Sequence, residues 1–414
     1  IGTDKYYASN SLTTDSIKVS IDGEDITTTE NVQKSLSVAE PLTETRNGQT
    51  VTYGVKYTLT LSNWEEAEKQ TGKQFLEWSG TTKIEIAEDT LKDESNNTSN
   101  KQEFTLGHVD FIKPRIEKVS STRDTTAKTE TIVFNVIDKY LDTTKLLTAD
   151  NIKVLVDGEE ATNLTKSLTR VTANDVSAVI NGSSQVVSQQ YQLVISDFEK
   201  VRNANEYKDW SGTVTIEVAT NVVKDKEIES ESNTSGGNTS DVTTLKGDFV
   251  DFIKPDLKYV HQSADIDKDG KSYTMTFTVT DKYYRTGKLT LDDLVVKMQN
   301  GQLDSSGNEI IYNLKDEPVT MSLQDTELRA SNVPITNTSG NIETVASLLI
   351  GHTYQLTISN LEQLERKVGL TTADYSGIIT VAVAGDKELD RGPAGDNANS
   401  NGNIATTITS GVNI

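Results

Sequence analysis

Eight aspartates of this chain occupy positions that recur along it, and an oxygen-rich set of that kind suits a hard divalent cation. Asp4, Asp138 and Asp281 each open an Asp-Lys-Tyr tripeptide. Asp93, Asp225 and Asp390 each stand thirteen positions after the glycine of a Ser-Gly pair, Gly80, Gly212 and Gly377 respectively. Asp110 and Asp251 belong to a VDFIKP segment that runs from Val109 to Pro114 and again from Val250 to Pro255. Calcium takes roughly six to eight oxygens from carboxylates, carbonyls and water, so repeated acidic positions mark Ca²⁺ as the expected cofactor and these eight residues as its candidate ligands. An aspartate capping a turn at a strand end is the other reading of each position.

Other chemistry has less to stand on. Asp265, Asp267, Asp269 and Gly270 imitate the start of an EF-hand loop, but Thr276 occupies the place of its last acid, and a hairpin turn explains the segment better. His108, His261 and His352 have no recurring serine or acidic partner, and no GxSxG, P-loop or HExxH pattern is present, so no enzyme is expected. Trp78, Trp210 and Tyr375 each precede a Ser-Gly pair. Such rings can stack on a sugar, but an aromatic opening a core strand is read here as packing. A Lys–Asn crosslink would draw on Lys5, Lys139 or Lys282 with Asn97, Asn233 or Asn397. Lysines beside a turn are normally solvated, so this crosslink is not expected.

The elements that hold these residues repeat with a period of roughly 140 residues. Each copy passes through an Asp-Lys-Tyr motif and then a strand ending in a turn: IKVSIDG from Ile17, IKVLVDG from Ile152 and the looser LVVKMQNG from Leu294. YTLTLSN, YQLVISD and YQLTISN follow from Tyr57, Tyr191 and Tyr354, and the Ser-Gly strands come after them. Apolar residues alternate along these segments, as in Tyr57, Leu59 and Leu61 or Met275, Phe277 and Val279, which predicts antiparallel sheets with one wet face. Many short strands separated by Gly, Asp and Asn turns predict an all-β fold of sandwich modules. A short helical crossover is expected in each, in WEEAEKQTGKQF from Trp64 and in the counterparts starting at Phe198 and Leu361. The divisions are 1–112, 113–253 and 254–414. Copy one begins directly before its Asp-Lys-Tyr motif and is expected to lack the first two strands, leaving a sheet edge or apolar core exposed unless something supplies them. SGVNI, from Ser410 to Ile414, aligns with the approach to the VDFIKP linker, so the parent protein is expected to be longer at both ends.

Composition narrows the partners. A formal charge of −22 argues against nucleic acid and anionic membrane surfaces and favours divalent cations. Absence of cysteine removes disulfides and thiolate chemistry, and no apolar run of about 18 residues predicts a membrane span. Lys113-Pro114 and Lys254-Pro255 should form short, stiff connections.

With few sulfur residues and many Thr, Ser, Asn and Asp, the chain resembles the bacterial immunoglobulin-like repeats of large surface proteins and S-layer proteins. Three features carry the resemblance: a linker Asp followed four residues later by Pro, the Ser-Gly strand, and a later Asp with a downstream Asn (Asp93 with Asn97, Asp225 with Asn233, Asp390 with Asn397). The resemblance implies tandem Ig-like modules on a prokaryotic cell surface or cell wall. It also implies interdomain calcium at Asp93, Asp110, Asp225 and Asp251. Two functions follow as expectations: a structural rod that builds an S-layer or surface filament through neighbouring copies of itself, or an adhesin segment. The adhesin would bind a host surface or polysaccharide through insertions such as Gln299 to Leu349.

Overall fold

The structure, a computed structural model, describes residues 2–8, 12–26, 33–63, 79–199, 210–229, 234–253, 255–265, 271–284, 287–337, 339–367, 377–383 and 407–412. The alternating segments are strands, and every pairing among the described residues is antiparallel. The chain is all-β, and its strands pack as sheets face to face.

One four-stranded sheet recurs with the same order of strands. It runs Glu24–Asp25, Ile17–Ile21, Gly80–Ile86, Gln102–Val109 in the first region, then Glu159–Glu160, Ile152–Val156, Gly212–Val218, Thr243–Val250, then Glu309–Asn313, Leu294–Leu303, Gly377–Val383, Thr407–Val412. Opposite it in the second region lies a sheet of Thr165–Arg170, Ser183–Ser196, Thr129–Ile137 and Arg115–Asp124, with Val176–Ile180 also pairing to Ser183–Ser196. Ile132, Phe134, Val136, Tyr191, Leu193 and Ile195 from this sheet meet Ile152, Val154, Val156, Val214, Ile216 and Val218 from the other. Period-two alternation puts these side chains on one face, and full burial of each is worth about 1.5–3 kcal/mol. The third region repeats this core with Met275, Phe277, Tyr354, Leu356, Val296 and Val381.

In the first region, Gln49–Ser62 pairs with Gln33–Arg46 on one side and, among the described residues, with Gly2–Thr3 on the other, where the Asp4 N–H also donates to the Tyr53 carbonyl at 2.9 Å. Its counterpart Ser183–Ser196 makes eight pairs there with Thr129–Ile137. Tyr57, Leu59 and Leu61 are half-buried where Tyr191, Leu193 and Ile195 are buried. On the facing sheet Phe104 is 45% exposed, whereas Leu245 at the same register is 7% exposed.

An α-helix, Leu361–Lys367, forms the crossover of the third region, with Leu361 and Leu364 in the core. Phe198 is a buried turn residue, while 200–209 and all of the expected helix at 64–75 lie outside the described residues. Strands Asp256–Asp265 and Ser272–Thr280 pair as neighbours with Asp265 opposite Ser272, while Asp267, Asp269 and Gly270 of the EF-hand-like segment lie outside the described residues. Trp210 is core, its indole N–H donating to Asn163 Oδ1 at 2.6 Å, in accord with packing rather than sugar stacking; Trp78 and Tyr375 lie outside the described residues. No helix among the described residues is long and apolar enough to cross a membrane.

The insertion in the third region reaches the second through its hairpin, Val333–Thr336 with Ile342–Val345, where the Thr336 hydroxyl meets that of Thr213 at 2.7 Å. Thr336 Oγ1 donates to Asp157 Oδ1 at 2.5 Å, and Lys246 Nζ donates to the Gly340 carbonyl at 2.6 Å.

Candidate metal centre

Asp110, Asp138 and Asp225 are buried together, with one carboxylate oxygen of each lying within 4.8 Å of the others. They come from three of the recurring patterns: the VDFIKP linker, the Asp-Lys-Tyr motif and the position thirteen after Gly212. Asp110 follows the strand Gln102–Val109 directly, Asp138 follows Thr129–Ile137, and Asp225 bridges to Leu141 beside it. The residues therefore sit where strands end, on backbone held by sheet pairing.

One oxygen of each carboxylate is held by hydrogen bonds. Asp138 Oδ1 accepts the Tyr140 N–H at 2.7 Å, and Asp110 Oδ1 accepts the Ile112 N–H at 3.1 Å and the Ser79 hydroxyl at 2.8 Å. Asp225 Oδ2 accepts from Asn238 Nδ2 at 2.8 Å. The other oxygens, Asp110 Oδ2, Asp138 Oδ2 and Asp225 Oδ1, are buried and take no hydrogen bond. Asp225 carries the argument: a fully buried carboxylate oxygen without a donor costs several kcal/mol unless a cation meets it. Burial pushes its carboxyl up to about 7, and the neighbouring Asp110 carboxylate adds to the rise. Burial likewise raises Asp110. Two oxygens on one Ca²⁺ at about 2.3–2.6 Å stand no more than about 5 Å apart, so the cluster fits that ion.

Asn238 partners Asp225. The backbone N–H of Asp225 donates to the Asn238 carbonyl at 3.1 Å, as that of Asp93 does to the Asn97 carbonyl at 3.0 Å. Asn97 Nδ2 likewise donates to Asp93 Oδ2 at 2.7 Å. A hairpin, Glu227–Glu229 with Thr234–Gly236, is inserted between Asp225 and Asn238 and stretches their spacing. Asn233 and Asn397 lie outside the described residues.

The second linker repeats the individual contacts. Asp251 Oδ1 accepts from the Ser211 hydroxyl at 2.9 Å and Asp281 Oδ1 from the Tyr283 N–H at 2.6 Å, while the buried Oδ2 of each takes no hydrogen bond. Asp390, the third member in sequence, lies outside the described residues. Asp4 is an exposed turn cap and Asp93 a half-buried one: Asp4 Oδ1 accepts the Tyr6 N–H at 2.6 Å, and Asp93 Oδ1 accepts the N–H groups of Ser95 and Asn97, both at 2.8 Å. Among the described residues they join no cluster of three.

Of the lysines in the crosslink reading, Lys139 pairs with Asp22 and Lys282 with Asp157, while Lys5 lies over the Tyr6 ring. Asp22 and Asp157 both stand in recurring turns, IDG and VDG, whose acidic position is not among the eight aspartates above. His108 is buried edge-on to Tyr140, and burial pulls its imidazole pKa down. Compared with known proteins, the chain matches no protein-family model and no curated protein.

Proposed function

We propose that this chain is a load-bearing stretch of a prokaryotic cell-surface protein. In this reading three tandem Ig-like modules, divided at 1–112, 113–253 and 254–414, form a rod whose junctions are stiffened by Ca²⁺. The observation that carries it is the burial of Asp110, Asp138 and Asp225 in one cluster at the passage from the first copy to the second. Asp110, Asp138 and Asp225 would hold the ion through the oxygens that take no hydrogen bond. An ion shared between a linker residue and the body of the next module removes the freedom of the short connection between them.

Architecture supports the structural role over the adhesin role. The insertion at Gln299 to Leu349 places one of its hairpins against the second copy, adding contact where two modules meet rather than reserving that hairpin for a ligand. Self-association into an S-layer or filament is the partner reading, with no nucleic acid, no membrane insertion in this segment and no enzymatic activity. The location is the cell surface or wall.

Thermal unfolding in calcium and in excess chelator tests the reading. A cation at about 100 times its dissociation constant stabilises the native state by about 2.7 kcal/mol, so the melting temperature is expected to fall by several degrees on chelation. An unchanged melting temperature contradicts the calcium role. Imaging the same samples separates the two functions: calcium-dependent sheets or fibres accord with assembly, whereas isolated rods that bind a glycan surface accord with adhesion.

A further inference from the structure

The tripeptides that supply Asp138 and Asp281 use their next two residues to reach backward. Lys139 Nζ lies 2.8 Å from Asp22 Oδ2 and donates to the Ser79 carbonyl at 2.5 Å, while the Tyr140 hydroxyl donates to Asp22 Oδ2 at 2.9 Å. The next junction repeats the contact atom for atom. Lys282 Nζ donates to Asp157 Oδ2 at 2.7 Å and to the Ser211 carbonyl at 2.9 Å, and the Tyr283 hydroxyl donates to Asp157 Oδ2 at 2.6 Å.

Both aspartates stand in Asp-Gly turns with left-handed backbone, φ 48° at Asp22 and 49° at Asp157. Each carboxylate also accepts a backbone N–H from the Ser-Gly strand, Thr81 at 2.9 Å or Thr213 at 2.8 Å. Gly80 and Gly212, both at φ +144°, are needed there because a Cβ on either would run into the carboxylate. The Asp-Gly turn, the Ser-Gly pair and the Lys-Tyr pair are thus three parts of one contact.

We propose that this contact is a latch between successive modules, and that its closure is coupled to cation binding. The inference rests on the calcium reading above. Two hydrogen-bonded routes join latch and cluster. The Ser79 carbonyl accepts from Lys139 while its hydroxyl donates to Asp110 Oδ1 at 2.8 Å, and Ser211 stands in the same way between Lys282 and Asp251, 2.9 Å from Asp251 Oδ1. The Tyr140 N–H fixes Asp138 Oδ1 at 2.7 Å while its hydroxyl grips Asp22, and Tyr283 does the same for Asp281 and Asp157. A cation that draws Asp110 and Asp138 together sets the Ser79 carbonyl and the Tyr140 ring for the latch; an open latch leaves both ligands unbraced. Linkage makes the effect reciprocal: whatever the latch adds to cation affinity, the cation adds to latch closure.

The first junction is the place to test it. Lys282 and Asp157 are almost wholly buried, so removing one leaves a desolvated charge, whereas the side chains of Lys139 and Asp22 are each 14% exposed. Calcium titrations of the full chain by calorimetry compare wild type with Tyr140→Phe, Lys139→Gln and Asp22→Asn, and the site lost in Asp225→Asn identifies the first junction. Tyr140→Phe keeps the ring, which packs edge-on to His108 at 4.6 Å, and deletes only the hydroxyl, so it provides a variant that folds. All three latch variants are expected to bind calcium at this site about ten-fold or more weakly than wild type. Affinities within about two-fold of wild type overturn the coupling and leave the calcium reading standing. A wild type that takes up no calcium overturns both.

Discussion

Glu130 shows what an isolated buried carboxyl costs in this fold. It is fully buried, and burial pushes its carboxyl up to about 7 despite the Asp248 N–H donated to it at 2.8 Å. The Asp248 carboxylate raises it further, while Arg123 and Lys118 pull it down. The folded chain therefore holds a proton that the unfolded chain has released between the ordinary value of 4.5 and about 7. Stability from this group falls as pH rises through that window. Glu130→Gln, neutral throughout, is expected to be more stable than wild type at pH ~8 by on the order of 2 kcal/mol and equal to it near pH ~5, measured as urea midpoints. Parallel pH profiles for the two proteins would show that Glu130 bears no such burden. Asp225 faces the same penalty and differs in having two further carboxylates beside it, which is why a cation, rather than a proton, is the partner proposed there.

At the scale of elements, alternation of apolar residues was enough to find the strands, because period-two burial writes itself directly into the order of side chains. Tyr191, Leu193 and Ile195, like Met275, Phe277 and Val279, are buried on the face their spacing assigns. The cluster was legible in part: Asp110, Asp138 and Asp225 stand at recurring positions, and three independent recurrences point at one chemistry. Asn238 was not legible, because the hairpin Glu227–Gly236 breaks the spacing that Asn97 keeps. Nor were Asp22 and Asp157, whose partners lie 117 and 125 positions away, beyond any local pattern. Burial also differs between copies in a way that substitution can read. Leu193→Ala is expected to cost about 2–5 kcal/mol, whereas Leu59→Ala, at the half-buried equivalent position, should cost no more than about half of that. Calorimetric transitions of the two variants measure the difference. Equal losses would contradict the shallower burial of Leu59.

At the scale of the whole molecule, a chain with a net charge of −22 concentrates acid where its modules meet. Asp110, Asp138 and Asp225 gather where the first copy passes to the second, Asp251 and Asp281 are likewise buried, and Lys139 and Lys282 answer the turn aspartates beside them. Without a cation, the three carboxylates repel across a low-dielectric gap, and the repulsion opposes docking of the modules. In the reading proposed above, a cation turns the same charges into a tie between the copies. The most direct measurement is anomalous diffraction from crystals of the full chain grown with terbium, a calcium surrogate that scatters strongly. The account predicts an anomalous peak among Asp110, Asp138 and Asp225, at about the 2.3–2.6 Å oxygen distances of calcium sites. Peaks confined to exposed acids, with none among these three carboxylates, would contradict it.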